Sequence, residues 1–588
     1  MPTLTWVGKD KVVNHHHDVP FRVLNKQYRF SAHSPQPTAH SPQPTAHSPQ
    51  PTAHSPQPSQ TPRGDAGNRI IHGDNLEALK SLLPEFEGRV KCIYIDPPYN
   101  TGNEGWVYND AVNDPKIKKW LGQVVGKEGE DLSRHDKWLC MMYPRLKLLH
   151  RLLRSDGVLF ASIDRNEMAT CKLMLEEIFG ADNWVGEIAW RNVTDNNPTN
   201  ISLEHEYVLC FAKSKSLLNP AWKSPYLDAK ERLIELGQRL ASEHTDKKRL
   251  QAAYTKWFRE HKAEIWPFQD YKFIDCDGIY TGSRSVHNPG KEGYRYDVFH
   301  PVTKKTCKQP LMGYRFPYET MQELLSADRI LFGEDETKLI ELKLYVKGYK
   351  AKLSSVIELD GRTGTNELKG IFSESNRPFD YPKPSVLLEE LLGFVTDPDD
   401  IVLDSFSGSG TTGHAVLKLN AQDGGQRRFI LIETMDYAET ITAERVRRVM
   451  NGYGEGNKAV AGLGGGFDYY TVGEPIFLPD EHLNETVGVA VLRDYVAYTE
   501  GIPADLRTAL DNPYSPYLLG LGREAAWLFY YEADRATTLD LDFLVGLKFG
   551  AAKPDHAIVY ADRCLLDKAF MARHGITFKK IPRDITRF

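Results

Sequence analysis

Apolar residues along the chain alternate between two spacings, and the alternation predicts strands and helices in turn. Arg69-Ile-Ile-His-Gly-Asp reads as a strand ending at Asp74, after which Leu76, Leu79, Leu82 and Leu83 fall on one helical face. Val90-Lys-Cys-Ile-Tyr-Ile is a short β-rich run that delivers Asp96-Pro97-Pro98-Tyr99 at its end. A helix from Asp136 to Arg154 leads through Ser155-Asp156-Gly157 into a strand from Val158 to Ile163. The pattern returns only at Ile401-Val-Leu-Asp404, followed by Arg428-Phe-Ile-Leu-Ile-Glu433. Strands alternating with helices predict an α/β fold around a mostly parallel sheet, which binds ligands at the carboxyl ends of its strands.

The interruption sets the domain plan. At 588 residues the chain is too long for one hydrophobic core. The stretch 196–365 is irregular, aromatic and basic, and is expected to be a recognition domain inserted between two halves of one α/β domain, 65–195 and 366–475. After Tyr470 the pattern breaks again, and a small C-terminal domain, 476–588, is expected, with Ile576-Thr-Phe-Lys-Lys-Ile-Pro-Arg-Asp-Ile585 near its end. Residues 1–64 form an N-terminal segment in which 32–58 repeat the heptapeptide Ala-His-Ser-Pro-Gln-Pro-Thr almost four times. Rich in Pro and free of large apolar groups, the repeat is expected to be disordered.

Its period carries information about the gene. A seven-nucleotide unit, CACAGCC, read through all three frames encodes His-Ser-Pro-Gln-Pro-Thr-Ala. Gain or loss of one unit would shift the frame of everything after Pro58, whereas the repeat itself reads the same in every frame. Such a unit would switch expression on and off by slippage, in contrast to a Pro-rich linker duplicated in whole codons.

Composition excludes several classes. The chain is 41% hydrophobic and 26% charged, and no apolar run is long enough to cross a bilayer. The N-terminus lacks the apolar core of a secretory signal, so a cytoplasmic protein is expected. Seven cysteines are scattered without a CxxC pair, which predicts reduced thiols and no metal site. His15-His16-His17 is expected to be a polar loop. The net charge of −6 is unhelpful for holding nucleic acid, but residues 196–365 carry 27 Lys plus Arg against 23 Asp plus Glu. The densest basic stretch holds Arg284, Lys291, Arg295, Lys304, Lys305, Lys308 and Arg315 among Tyr294, Tyr296, Phe299, Tyr314 and Phe316. That mixture suits phosphate contact and base stacking, although such a stretch taken alone is more often a solvated surface. Asp335 with Glu341-Leu-Lys343 could be read as a nuclease motif, but a charged amphipathic helix is the expected reading.

Two motifs carry chemistry. Ser407-Gly-Ser-Gly-Thr-Thr-Gly413 follows a strand, its glycines let the backbone approach a ligand, and Glu433 is spaced to accept hydrogen bonds from ribose hydroxyls. Spacing alone leaves a dinucleotide site or a structural turn open. Asp96-Pro97-Pro98-Tyr99 offers a carboxylate, carbonyls aimed by two residues of fixed φ, and an aromatic face. An adenine swung out of a duplex needs that set: Asp96 and the Pro97 carbonyl to accept from its exocyclic amine, and Tyr99 to stack on the base. No cysteine is preceded by Pro, which excludes the nucleophile that cytosine C5 methylation needs.

With IDPPYNTGNEGWVYND, LFASIDRNE, TDNNPTNISLEHEYVL, YTGSRSVHNPGKEGYRYD, FDYPKP and LDSFSGSGTT, the region from Arg69 to about Arg448 resembles the circularly permuted β class of amino-methyltransferases. Within that class it resembles the modification (Mod) subunits of type III restriction-modification systems. The resemblance implies a Rossmann-like S-adenosylmethionine-dependent methyltransferase fold with permuted motif order, interrupted by a target-recognition domain. It implies methylation of adenine N6 in double-stranded DNA at a short asymmetric site, a Mod dimer, and a separate Res restriction subunit. By position, Asp404, Phe406, Gly408 and Gly410 would hold the methionine part of the cofactor, Glu433 its ribose and Asp74 its adenine, with Lys383 and Pro384 lining the pocket. The chain has no GxxxxGK[ST] motif, so the helicase-nuclease would be another polypeptide.

Two rivals stand beside this reading: methylation of cytosine N4 by the same pocket logic, and a non-catalytic DNA-binding module. The switching hypothesis makes a prediction of its own. Sequencing the coding DNA of 32–58 should find an unbroken seven-nucleotide period, and synonymous codons that break it would contradict slippage.

Overall fold

The computed structural model of the protein describes residues 3–32, 67–101, 134–193, 200–222, 227–261, 265, 268–287, 292–349, 352–375 and 377–583. Nearly all of the heptapeptide repeat, Lys291 and the side chain of Arg284 lie outside the described set. The chain divides into two compact units, 1–220 with 354–588, and 221–353.

The first unit is built on ten strands: β1 (Arg22–Ser31), β2 (Arg69–His72), β3 (Val90–Ile95), β4 (Leu153–Ile163), β5 (Trp184–Arg191), β6 (His205–Ala212), β7 (Val356–Glu358), β8 (Ile401–Asp404), β9 (Arg428–Glu433) and β10 (Gly466–Pro475). They form one sheet in the order β1-β10-β2-β9-β8-β3-β4-β6-β5-β7. From β10 to β4 every pairing is parallel, while β6 runs antiparallel to both its neighbours and β1 antiparallel to β10. The central strands are buried almost end to end, as a parallel sheet covered on both faces requires. Helices α1 (Asn75–Phe86), α2 (Arg134–Leu152) and α3 (Met168–Phe179) contribute Leu79, Leu82, Leu146, Leu149 and Met174 to the same core as Ile93, Leu403 and Ile430. Asp74 caps α1, accepting from the backbone N–H of Leu76 (2.9 Å) and Glu77 (3.1 Å).

Several elements depart from the expected boundaries. The insert expected over 196–365 surrenders its ends to the sheet: β6 buries five consecutive residues, Val208 to Ala212, between β4 and β5, and β7 extends β5. The N-terminal segment supplies edge strand β1, pinned to β10 by Arg29 and Lys26 on the buried carboxylate of Asp468. The His15-His16-His17 run is a helical turn, not a polar loop: His16 is buried, and Lys80 of α1 donates to the carbonyls of His16 (2.8 Å) and His17 (3.0 Å). Five of the seven cysteines are buried, and all are free thiols.

The second unit packs helices Leu227–Glu243 and Lys247–His261 through Leu233, Leu250, Tyr254 and Phe258 onto Ile274 and Ile279. Its four strands are Phe273–Asp275, Gly278–Ser285, Ile330–Leu331 and Glu341–Tyr345. The last of these corrects the amphipathic helix expected around Glu341-Leu-Lys343. In strand period Lys343 and Tyr345 share one face, and both bond the buried carboxylate of Asp275, at 3.0 and 2.8 Å. Residues 518–580 add a four-stranded sheet that belongs to the first unit. Among the described residues no helix is long and apolar enough to cross a membrane.

Candidate functional site

Parallel strands end on the same side, and four of them place the predicted residues there. Pairing of Leu403 in β8 with Ile93 in β3 sets Asp404 beside the exit of β3, where Asp96 begins the Asp-Pro-Pro-Tyr turn. Pairing of Glu433 in β9 with His72 in β2 brings Gly73 and Asp74 alongside, and the Gly73 N–H donates to the Glu433 carbonyl at 3.0 Å. A cleft of about 270 Å³ is lined by Tyr94, Asp96, Phe379, Tyr381, Pro382, Lys383, Leu388, Asp404, Phe406, Ser407, Ser409, Thr411 and Thr412. Asp96 and Lys383 therefore share one cavity with the strand-to-glycine-loop turn.

The glycine loop is tight. Gly408 and Gly410 have φ of 49° and 80°, and a Cβ on Gly410 would lie 2.9 Å from the Thr442 carbonyl. Glu433 accepts from the N–H of Gly408 (2.7 Å) and of Met435 (3.0 Å), which fixes its carboxylate behind the loop. Asp404 accepts from the N–H of Phe406 (3.0 Å) and the hydroxyl of Thr412 (2.5 Å). Both acids are buried. Burial pushes the Asp404 carboxyl up to about 7 and that of Glu433 to about 7, because the neighbouring hydrogen bonds only partly offset the lost hydration. For Asp404 that is about 4 kcal/mol against ionisation in place. A buried carboxylate of this kind fits an ammonium group, such as the one on the methionine part of S-adenosylmethionine, and Glu433 fits a pair of ribose hydroxyls.

The Asp-Pro-Pro-Tyr turn is braced from outside. Trp138 of α2 donates to the Pro98 carbonyl at 2.6 Å. Asn100, at φ 57°, donates to Glu167 at 2.5 Å, and Glu167 is also held by His135. Asp96 is about nine-tenths buried, with Oδ2 3.0 Å from Lys383 and Oδ1 buried with no hydrogen-bond partner among the described residues. Burial raises the Asp96 carboxyl above its usual range, against the pull of Lys383. Lys383 itself is held above its usual range: burial opposes its charge, and the carboxylates of Asp96 and Glu206 outweigh burial.

The strap carrying Lys383 has its own foundation. A Cβ on Gly364, in helix α4 (Arg362–Ile371), would lie 2.1 Å from the Pro382 carbonyl, so the strap presses directly on that helix. Pro384 serves as N-cap of α5 (Ser385–Val395) and is not part of the cleft lining. Behind it, the largely buried Glu367 accepts from the Ser385 hydroxyl and pairs with Lys418 and Arg445; desolvation opposes its charge, but His414, Arg445 and Lys418 together hold its carboxyl down at about 2.

Of the predicted site residues, Asp96, Lys383, Asp404 and Phe406 share the cleft; Gly408 donates to Glu433 outside its lining, and Asp74 follows Gly73, which donates to the Glu433 carbonyl. Glu206, Trp190, Asn192 and Glu167 were given no role in advance, although Glu167 and Glu206 fall within the stretches LFASIDRNE and TDNNPTNISLEHEYVL. The predicted basic residues Arg295, Lys304, Lys305, Lys308 and Arg315 lie in the second unit, all exposed, with Arg295 3.7 Å from Glu292 and Lys305 3.2 Å from Glu336. Helix Lys247–His261 presents a further basic face, Lys247, Lys248, Arg249, Lys256 and Arg259, with no ion pair among the described residues.

The raised carboxyl of Asp404 yields a sign-specific prediction. A cationic ligand binds the ionised acid, so binding must release a proton below pH 7 and none above it. Affinity for S-adenosylmethionine, measured by calorimetry, should fall up to about tenfold per pH unit below 7 for each proton released, and level off above. Asp404→Asn should flatten that dependence, and a flat wild-type profile would contradict the assignment.

The profile of the DNA methylase family matches residues 90–444. Over 376 residues the chain is 52% identical to the Mod subunit of the type III restriction-modification enzyme EcoP15I of Escherichia coli, covering 62% of this chain and 58% of that one. Over 393 residues it is 33% identical to the Mod subunit of the type III enzyme StyLTI of Salmonella typhimurium, covering 63% and 53%. The chain thus spans little more than half the length of these curated relatives. A crystal structure of a DNA modification methylase from Thermus thermophilus, complexed with S-adenosyl-L-methionine, is 14% identical with a TM-score of 0.29, over 69% of this chain and 98% of that one. The family match covers more than half of the chain, β3 through the glycine loop to Glu433, and includes the cleft: the protein belongs to the DNA methylase family.

Proposed function

We propose that the protein is the modification subunit of a type III restriction-modification system. It would transfer a methyl group from S-adenosylmethionine to N6 of an adenine flipped out of double-stranded DNA. The observation that carries this is the buried, unpartnered Oδ1 of Asp96 in a cleft bounded by the glycine-loop strand. A buried acceptor without a donor costs about 1–3 kcal/mol unless a ligand supplies the donor, and an exocyclic amine does so. Asp96 and the Pro97 carbonyl would each accept from N6, localising its lone pair. Tyr99 would stack on the base and return about 1–3 kcal/mol toward the cost of flipping. S-adenosylmethionine would supply an electrophilic methyl on sulfur; as N6 takes it, the sulfur would leave as a neutral thioether and the surplus N6 proton would pass to solvent. Holding both partners in line supplies much of the rate.

The adenine assignment rests on Asp at position 96 and on likeness to type III Mod subunits; cytosine N4 is the alternative. A homodimer, a separate Res subunit, a cytoplasmic setting and slippage-switched expression belong to the same proposal. DNA would be held by the second unit, through Arg284, Lys291, Arg295, Lys304, Lys305, Lys308 and Arg315, joined by the unpaired cations of helix Lys247–His261.

Two measurements test this. Purified protein incubated with labelled cofactor and unmethylated bacterial DNA should yield N6-methyladenine, with Asp96→Ala lowering the rate at least a thousandfold while calorimetry still detects cofactor binding. N4-methylcytosine would overturn the base assignment, and no product from folded protein would overturn the enzyme. For DNA holding, the slope of log affinity against log salt should shrink by about 0.9 for each phosphate contact removed. It should do so in a Lys248→Ala, Lys256→Ala, Arg259→Ala triple variant and in a Lys304→Ala, Lys305→Ala, Lys308→Ala triple variant. An unchanged slope in either would remove that surface from the proposal.

A further inference from the structure

Lys383 stands at the centre of a tripod of acceptors. Its ammonium lies 3.0 Å from Asp96 Oδ2 and 3.4 Å from Glu206 Oε2, and donates to the Tyr99 hydroxyl at 2.8 Å. Three protons meet three acceptors. Glu206 is engaged twice more: Oε2 accepts from the Tyr99 hydroxyl at 2.9 Å and Oε1 from Asn192 Nδ2 at 2.6 Å. Lys383 also sits 4.9 Å from the ring centroid of Tyr99 and 5.7 Å from that of Trp190. Trp190 is fixed in turn by its indole N–H on the Leu359 carbonyl at 2.8 Å. The end of β3, β5, β6 and the 381–384 strap thus converge on one cation.

The Asp96–Lys383 pair leaves one carboxylate oxygen without a partner among the described residues. Buried pairs that serve stability alone satisfy the remaining lone pairs of each carboxylate, since an orphaned acceptor forfeits a hydrogen bond. Here Asp96 Oδ1 is buried and unpartnered while Oδ2 is held by Lys383. One carboxylate oxygen is anchored, and among the described residues the other meets no donor, which leaves it to an incoming amine. Two carboxylates around one ammonium also leave a net negative charge beside the cleft, complementary to a sulfonium.

We infer that Lys383 and Glu206 are positioning residues of the methyl transfer. Lys383 keeps Asp96 ionised and presents Oδ1 to the incoming amine. Glu206 holds both the lysine head and the Tyr99 hydroxyl, so that the ring stands ready as a stacking wall. This rests on the methyltransferase reading above and adds two residues to it. Asp96 faces Lys383, Glu206, Tyr99, Tyr94 and, across the cleft, Asp404; only Lys383 among these is a cation. A protonated Asp96 would offer a donor where the amine needs an acceptor. Removing the ammonium lets burial and the remaining carboxylates raise the pKa of Asp96, so transfer is lost as pH falls through a higher value than in the wild type.

The test uses the full chain, unmethylated duplex DNA amplified from a bacterial genome, and labelled S-adenosylmethionine, with initial rates measured across pH. Lys383→Met should move the acid limb of kcat up by a pH unit or more, with about tenfold loss for each unit moved at pH values below both limbs and recovery at higher pH. Lys383→Arg should keep the limb near its wild-type place. Glu206→Gln should raise KM for DNA severalfold more than it lowers kcat, with cofactor Kd within twofold of wild type. An acid limb unmoved in Lys383→Met, or a uniform loss at every pH together with lost cofactor binding, would overturn the role given to Lys383. A wild-type KM in Glu206→Gln would overturn that of Glu206. Should Lys383→Met fail to fold, a limb in Lys383→Arg displaced as far as a full unit would count against the inference. Wild-type protein that transfers no methyl group would overturn the methyltransferase reading itself, a result separable from all of these.

Discussion

Pairing of β8 with β3 joins two distant stretches of the chain, and everything at the cleft follows from it. With Leu403 beside Ile93, the glycine-loop strand and the Asp-Pro-Pro-Tyr strand end on one side of a parallel sheet. Asp404 then looks into the cavity that Asp96 closes. Parallel strands make this economical: each ends in a loop at the same edge, and burial on both faces fixes the register so that neither acid can slip by one residue to the opposite face.

The second constraint is charge. Three carboxylates, Asp96, Asp404 and Glu433, are buried near the ends of neighbouring strands, and only Asp96 has a cation within 4 Å among the described residues. Each is harder to ionise than a carboxylate in water. Such an arrangement is costly for the empty protein and favourable for ligands that bring an ammonium, hydroxyls or an amine to the three positions. The fold tolerates the cost because the surrounding scaffold is over-determined, from the Glu367–Arg445 network under the strap to Trp138 on the Pro98 carbonyl.

How much of this was legible in the sequence divides along physical lines. Asp96, Asp404 and Glu433 were, because each follows an apolar strand whose end a parallel sheet must expose, and because Pro-Pro and Gly-x-Gly restrict the backbone in recognisable ways. Glu206 was not. It begins a strand whose apolar run, Tyr207 to Ala212, was assigned to the insert, since antiparallel closure of a sheet leaves no helix-strand alternation to read. The insert boundary failed for the same reason, and Val356–Glu358 is too short to show a period. Lys343 shows a related limit: its charges suggested an exposed helix, whereas pairing with Asp275 and Asp328 lets a strand bury it. Cations on helix Lys247–His261 carried no aromatic interleaving, and only their shared face in the folded unit sets them apart.

The account stands or falls on which atom of which base receives a methyl group. Single-molecule sequencing of the host genome, with the gene intact and deleted, reads that atom directly. The account predicts N6-methyladenine on one strand of a single short asymmetric sequence, present only with the intact gene and absent when Asp96 is replaced by Ala. Identical methylation with and without the gene, or methyl groups on cytosine N4, would contradict it.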